Sequence, residues 1–178
     1  MKNIDWSTVQ DEPRRPVPGG YAAIITHVED DEKREFLKIE WDFADGPYKG
    51  ANRETFETVG FWPMSFVQPY KKPALRFFKG FKTSVEVSNP GFVFKNDPQS
   101  LVGKFIGLVL GEEEYLSNKG ELKTRLYVAE KRSGKAIREG DFKIPELKPL
   151  KKAEFAASTA APANDFAPIV EDDALLPF

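Results

Sequence analysis

The stretch KPALRFFKGFKTSVEVS (72–88) predicts a helix in a chain whose other patterned segments resemble strands. Its apolar side chains recur every three or four residues, which is the spacing of one helix face; they are Ala74, Phe77, Phe78, Phe81 and Val85. Pro73 suits the first turn, and Asn89-Pro90-Gly91 ends the helix. We assign the three phenylalanines of this face to the core.

Three strands are predicted before this helix. Tyr21–Val28 is rich in residues that favour β-structure, and Phe36–Phe43 alternates polar and apolar side chains with the two-residue period of a half-buried strand. The same alternation predicts a third strand over Ala51–Phe61. We expect these three segments to form an antiparallel meander.

Two further strands are predicted after the helix. Leu101–Leu110 has the composition of a buried strand, and Gly103 and Gly107 within it indicate bulges or a tight bend. A turn at Asn118-Lys119-Gly120 then leads into an alternating strand over Glu121–Lys131. The predicted order is therefore three strands, one helix and two strands.

This order of elements is that of the five-stranded Greek-key OB barrel, whereas parallel α/β folds require strands and helices to alternate. We expect an all-β fold with one helix, an OB-like barrel over residues 20–145, after an N-terminal arm at 1–19. A flexible linker is expected at 146–170, because Ala153–Pro168 has seven alanines, two prolines and few charges. Residues 171–178 form a separate acidic tip.

The residue content excludes several classes of site. Without cysteine, the chain cannot form disulfides, Fe–S clusters, thiolate zinc sites or a cysteine nucleophile, and the single histidine, His27, disfavours histidine-based catalysis. Acid pairs such as Asp42/Asp45 or Glu112/Glu114 could bind Mg²⁺ for nuclease chemistry, but no motif with defined ligand spacing supports this. We expect no enzyme activity, no metal and no cofactor.

The chain has no apolar run near the roughly 18 residues of a membrane span, and Met1–Glu12 does not resemble a signal peptide. These features predict a soluble, cytoplasmic protein that does not bind membranes.

Charge is distributed unevenly along the chain. Residues 153–178 carry five acidic residues and no basic ones, whereas residues 1–152 carry 26 basic against 23 acidic residues. Within that body, Thr58–Val85 has five basic residues and no acidic one, and Lys131–Lys152 has eight basic against three acidic residues. This asymmetry indicates a basic working surface and an acidic interaction tail.

The chain ends in EDDALLPF (171–178), an acidic segment followed by an apolar one. The acidic side chains provide long-range attraction to a basic pocket of a partner; they are Glu171, Asp172 and Asp173. The apolar residues would anchor the tip in that pocket; they are Leu175, Leu176, Pro177 and Phe178. We therefore expect the tip to bind a partner protein.

Acidic residues before a final Pro177-Phe178, together with the predicted strand order, resemble the single-stranded DNA-binding proteins of bacteria and phages. That family has an OB-fold body, a flexible linker and an acidic C-terminal tip. Three stretches are also similar to prophage-encoded proteins of Gram-positive bacteria: PGGY (18–21), SNPGF (88–92) and LVLGEEEY (108–115). The tip departs from the family in having Ala-Leu-Leu where a longer acidic run and Ile usually precede Pro-Phe.

The resemblance implies sequence-independent binding and protection of single-stranded DNA during replication, recombination or repair in a bacterial host cell. It also implies that the tip recruits replication or recombination proteins, and it is compatible with a homo-oligomer.

Single-strand binding without sequence preference needs cations for phosphates and aromatic faces for bases. Residues of both types flank the predicted second, third and fifth strands, and we take them as the candidate DNA-binding site: Lys38, Tyr48, Lys49, Arg53, Phe56, Trp62, Lys123, Arg125, Tyr127, Lys131 and Arg132. We assign Trp41 and Phe43 to the core because they alternate in phase with Leu37 and Ile39. An alternative function is an OB-like module that binds a replication or recombination protein and no DNA.

Overall fold

A computed structural model describes residues 15–150 of the chain. Most of the predicted N-terminal arm, the linker from residue 151 onward and the whole tip at 171–178 lie outside the described residues. The strands are β1 (Gly19–Asp31), β2 (Phe36–Phe43), β3 (Ser65–Pro69), β4 (Phe105–Leu116) and β5 (Leu122–Arg132). The helices are α1 (Ala51–Val59), α2 (Leu75–Ser88) and α3 (Gly134–Arg138). Three short 3₁₀ turns cover Gly46–Tyr48, Lys72–Ala74 and Pro98–Leu101.

The five strands form one antiparallel sheet in the order β3-β2-β1-β4-β5. The mostly-β architecture with five strands is thus confirmed. β1 lies at the centre, and β2 and β4 pair with its two sides. The first, second, fourth and fifth patterned segments of the sequence all contain strand, although β4 begins at Phe105 and not at Leu101.

The third predicted strand is wrong, because Ala51–Val59 is the helix α1. Gly50 before it and Gly60 after it both have φ of 79°, a left-handed conformation that ends regular strand geometry on each side. The buried carboxylate of Asp42, at the end of β2, also accepts the backbone N–H groups of Asn52 at 3.0 Å and Arg53 at 3.3 Å. This cap from the preceding strand satisfies N–H groups that the first turn of a helix leaves unpaired.

The third strand of the meander is instead the five-residue β3, which pairs with β2. The expectation of one helix is likewise wrong, since the described residues form α1, α2 and α3.

The helix over 72–88 is confirmed as a 3₁₀ turn followed by α2. Phe81 and Val85 are buried and Phe78 packs against the core, but Phe77 is 59% exposed, so its assignment to the core is wrong. The sheet covers the arc of α2 centred on Phe81 and Val85, whereas Phe77 lies at the edge of that arc near the start of the helix. The apolar spacing of α2 therefore predicts a wider buried face than the one that the sheet covers.

The core lies between α2 and the inner face of the sheet. Its largest side chains include Trp41 and Phe43, which confirms their assignment to the core. Residues 147–150 then follow β4 where its pairing with β1 has ended: Lys148 donates its N–H to Glu112 O and accepts that of Glu114, both at 2.9 Å. This segment therefore belongs to the folded body and lies beside β4, on the side opposite β5.

Candidate nucleic-acid interface

The two edge strands of the sheet, β3 and β5, face each other across a groove of about 410 Å³. We call it the β3–β5 groove. One wall is Pro63–Val67, and the other consists of residues Arg125–Val128 and Lys131, with Glu113 beside them. Arg125, Tyr127 and Lys131 were predicted to bind DNA, and the fold brings these three together.

Lys131 is the cation that reaches deepest into this groove. A register irregularity in the β4–β5 pairing places Lys131 opposite the buried Leu108, so its side chain projects to the core side of the sheet. Its Nζ lies 5.1 Å from the ring centroid of Phe66 on β3. Burial lowers the pKa of Lys131, and no carboxylate in the described residues forms an ion pair with it.

Arg125 and Tyr127 lie on the exposed part of the same wall, and both already have partners. Arg125 Nε donates to Glu113 Oε1 at 2.8 Å, because the two residues are opposite each other in the β4–β5 register. The Nζ of Lys148 lies 4.2 Å from the ring centroid of Tyr127. One face of the tyrosine therefore carries a cation–π contact, and a base that stacks there must displace the Lys148 side chain.

Three further predicted cations lie on the outer surfaces of β2 and β5, and each is paired with glutamate. Lys38 Nζ lies 3.8 Å from Glu29 and 3.9 Å from Glu40, Lys123 Nζ lies 2.9 Å from Glu121, and Arg132 lies 2.8 Å from Glu130. Exposed pairs of this kind contribute little to stability, so a phosphate can replace the glutamate at small cost. Their net charge before DNA binds is nevertheless close to zero.

The remaining predicted residues lie on or near α1. Phe56 and Trp62 form an aromatic pair with ring centroids 5.7 Å apart, and Trp62 Nε1 donates to Trp41 O at 2.9 Å. Trp62 immediately precedes Pro63, the first residue of the groove wall. Lys49 and Arg53 are exposed, but neither lines the groove.

Tyr48, in contrast, is packed against the core. Its ring centroid lies 5.8 Å from that of Tyr21 and 5.6 Å from that of Phe43. Because the Tyr48 ring packs against these two aromatic rings, less of its surface is free to stack on a base than we expected from its position in a loop.

Sequence reasoning missed the β3 wall of the groove. Phe66 and Gln68 are buried while Ser65 and Val67 are exposed, so the strand alternation is present. The segment has only five residues and ends in Pro69, which made it look like the connection into the helix.

No family model matches this chain. No curated protein sequence matches it either. Within residues 15–150, no helix has the length and apolar character needed to cross a membrane, and no group of three or more His, Cys, Asp or Glu side chains is arranged to hold a metal ion.

Proposed function

We propose that this chain binds single-stranded DNA in the β3–β5 groove without reading its sequence. The observation that carries the proposal is the ammonium group of Lys131, which is partly desolvated and has no carboxylate partner in the described residues. A phosphate oxygen beside it would supply the missing negative charge. Arg125 and Tyr127 on the same wall add a second cation and an aromatic ring.

The arrangement of strands supports an OB-like barrel as the more specific fold. A three-strand meander, with α1 between its second and third strands, is followed by α2 and a final hairpin, and β4 returns to pair with β1. The β3–β5 groove then lies where the sheet approaches closure. OB barrels bind oligonucleotides along the face of their second and third strands and on adjacent loops.

The arrangement suggests a division of roles. Lys131 and Arg125 would contact phosphates, which hold the strand without regard to sequence. Tyr127, Trp62 and Phe56 would provide faces for bases, each stacked base contributing about 1–3 kcal/mol. Binding is expected to weaken steeply with salt, because each neutralised phosphate releases counterions.

We further propose a role in DNA replication, recombination or repair in the cytoplasm of a bacterial host cell. The support for this step is the resemblance of the sequence 171–178 to the acidic tips of single-stranded DNA-binding proteins. The tip would recruit partner proteins and raise their local concentration on the bound strand.

The test is fluorescence anisotropy of labelled oligo-dT and of a matched duplex, titrated with the full chain at low and high salt. We expect salt-sensitive binding to oligo-dT and little binding to duplex. Lys131→Met keeps the apolar stem over Phe66 and removes the charge, so it should weaken oligo-dT binding several-fold. Lys95→Met removes one exposed charge outside the groove and serves as the matched control.

Equal affinity of both variants and the parent for oligo-dT would place the DNA outside the groove. Absence of oligo-dT binding by the full chain, repeated without residues 171–178, would reject DNA binding altogether.

A second candidate function is a protein-interaction module that binds no DNA. The ion pairs of Lys38, Lys123 and Arg125 with glutamates favour this second function, because the glutamates already neutralise these cations. It predicts that the full chain retains a partner protein through the tip while oligo-dT anisotropy stays flat. A tip peptide of residues 171–178 should then compete for that partner.

A further inference from the structure

Unpaired cations concentrate at α2, on the acid-free stretch Thr58–Val85. Within residues 15–150, none of Lys71, Lys72, Arg76 and Lys79 forms an ion pair, and all four are exposed. The nearest acid along the helix, Glu86, is paired with Lys82. This surface therefore keeps its full positive charge, in contrast to the outer faces of β2 and β5.

An exposed aromatic ring lies among these cations. Phe77 is 59% exposed, and the guanidinium carbon of Arg76 lies 4.6 Å from its ring centroid. Arginine and an aromatic ring in contact on a surface present the two groups that single-stranded nucleic acid needs, a charge for phosphate and a flat face for a base.

Fold stability does not account for this surface. Lys72 lies in the 3₁₀ turn before α2 and Arg76 in the first turn of α2, where the helix dipole disfavours positive charge, and that first turn contains no acidic residue. Phe77 is one of several exposed apolar side chains in the described residues, and what distinguishes it is its contact with Arg76. A function that uses the cations and the ring explains why they lie together.

α2 packs beside β5, next to the β3–β5 groove, although no residue of α2 lines the groove. Ser84 Oγ lies 3.4 Å from the backbone oxygen of Lys131, which marks the side of α2 that contacts β5. Phe77 lies seven residues earlier, on the same side of the helix and about 10.5 Å along its axis, because seven residues complete nearly two turns at about 1.5 Å each. A strand that leaves the groove at Lys131 can therefore run along α2 to Phe77.

We propose that the exposed N-terminal end of α2, with the 3₁₀ turn before it, is a second contact surface for the same DNA strand. Lys72, Arg76 and Lys79 bind phosphates there, and Phe77 stacks on a base. This inference rests on the proposed single-strand binding. The nearby groove and the contact between Arg76 and the exposed ring favour DNA as the occupant over an acidic protein segment.

The first experiment measures the salt dependence of oligo-dT binding by the full chain. Replacing Lys72, Arg76 and Lys79 together with alanine should lower the slope of log K against log salt by about 2, since each lost phosphate contact on a single strand contributes about 0.7. The control replaces Lys33, Lys95 and Lys143 with alanine, which removes the same charge from exposed positions elsewhere. Circular dichroism checks that both variants keep the fold, and alanine favours the helix.

The second experiment locates the base contact directly. Oligo-dT carrying 5-iodo-deoxyuridine is irradiated with the full chain, and the cross-linked peptides are identified by mass spectrometry. We expect a cross-link at Phe77 that Phe77→Leu abolishes, while cross-links in the β3–β5 groove persist.

The outcomes separate this inference from the proposed function. If the parent chain does not bind oligo-dT, the proposed function fails and this inference fails with it. If the parent binds but the α2 triple variant keeps its slope and Phe77 is not cross-linked, only this inference is overturned. Loss of binding to a labelled peptide of residues 171–178, with DNA binding unchanged, would assign the surface to acidic protein segments.

Discussion

Tyr70 illustrates how one contact at the residue scale creates a pH dependence. Its phenol donates to Asp30 Oδ1 at 2.8 Å, and this hydrogen bond, with Glu32 and Glu35 close by, raises the pKa of Tyr70 to about 12. In the unfolded chain the phenol ionises near its ordinary value of 10.0. The folded state therefore holds the proton more tightly, and the resulting stability is present below about pH 10 and is lost as the pH rises towards 12.

We predict that Tyr70→Phe removes this loss. The free energy of unfolding in urea should fall less between neutral and strongly alkaline pH for the variant than for the parent. Asp30→Asn, which lacks the carboxylate, should return the phenol of Tyr70 towards its ordinary pKa in an absorbance titration. Identical alkaline stability profiles for parent and Tyr70→Phe would contradict the prediction.

Two glycines in different environments give opposite predictions. A Cβ at Gly107 in β4 would lie 2.5 Å from Ile137 Cγ1 and 2.6 Å from the carbonyl oxygen of Ser133, so α3 would have to move. Gly107→Ala should destabilise the fold by about 1–3 kcal/mol. Gly80 in α2 has nothing within 4 Å of such a Cβ, and Gly80→Ala should stabilise by about 0.5–1 kcal/mol. Urea unfolding measures the free energy of unfolding of both variants. A change of the same sign in both would contradict the crowding at Gly107 or the open space at Gly80.

At the scale of elements, α1 depends on a side chain outside it. Asp42 is only 4% exposed, and its carboxylate accepts the N–H groups of Phe43, Asn52 and Arg53. Asn52 in turn donates its side-chain amide to Trp41 O at 2.8 Å. The end of β2 and the start of α1 therefore form one hydrogen-bonded unit.

We predict that Asp42→Ala destabilises the fold by about 1–3 kcal/mol, because buried N–H groups lose their acceptor. Asp42→Asn keeps one acceptor oxygen and should cost less. Asp45→Ala, an exposed neighbour, is the control and should change stability by no more than about 0.5 kcal/mol. Chemical denaturation measures all three; a loss for Asp45→Ala as large as that for Asp42→Ala would show that the cap is unimportant.

Over the whole molecule, charge is separated between the body and the last residues. Residues 153–178 have a net charge of −5, and the acid-free stretch Thr58–Val85, which contains most of α2, is basic. A segment of this charge can compete with DNA for the basic surfaces, and salt screens such competition.

We predict that removing residues 171–178 tightens oligo-dT binding at low salt and changes it little at high salt. Anisotropy titrations of both chains across a salt series provide the measurement. A variant with Leu175 and Leu176 replaced by alanine keeps the acidic residues and should leave DNA binding unchanged. An affinity that does not depend on the tip at any salt concentration would exclude the competition.

Local periodicity was enough to predict the segments that contain β1, β2, β4 and β5, together with α2, because alternation or helical spacing within each segment reports which face is buried. The residue pattern of Ala51–Val59 does not by itself predict that this segment is a helix. Only Ala51, Phe56 and Val59 are apolar among its nine residues, so no period is well defined, and the cap that selects the helix comes from Asp42 on another element.

In the candidate site, too, local sequence predicts some features and tertiary contacts decide the others. The sequence by itself determined that the chain carries cations and aromatic rings suited to a single strand, and that its last residues are acidic. Only the tertiary structure decided which of those cations are neutralised, since the β4–β5 register sets Arg125 opposite Glu113 and directs Lys131 inward. The packing of α2 likewise left Phe77 outside the core. Pairing partners and burial depend on contacts between residues far apart in the chain, which local spacing does not encode.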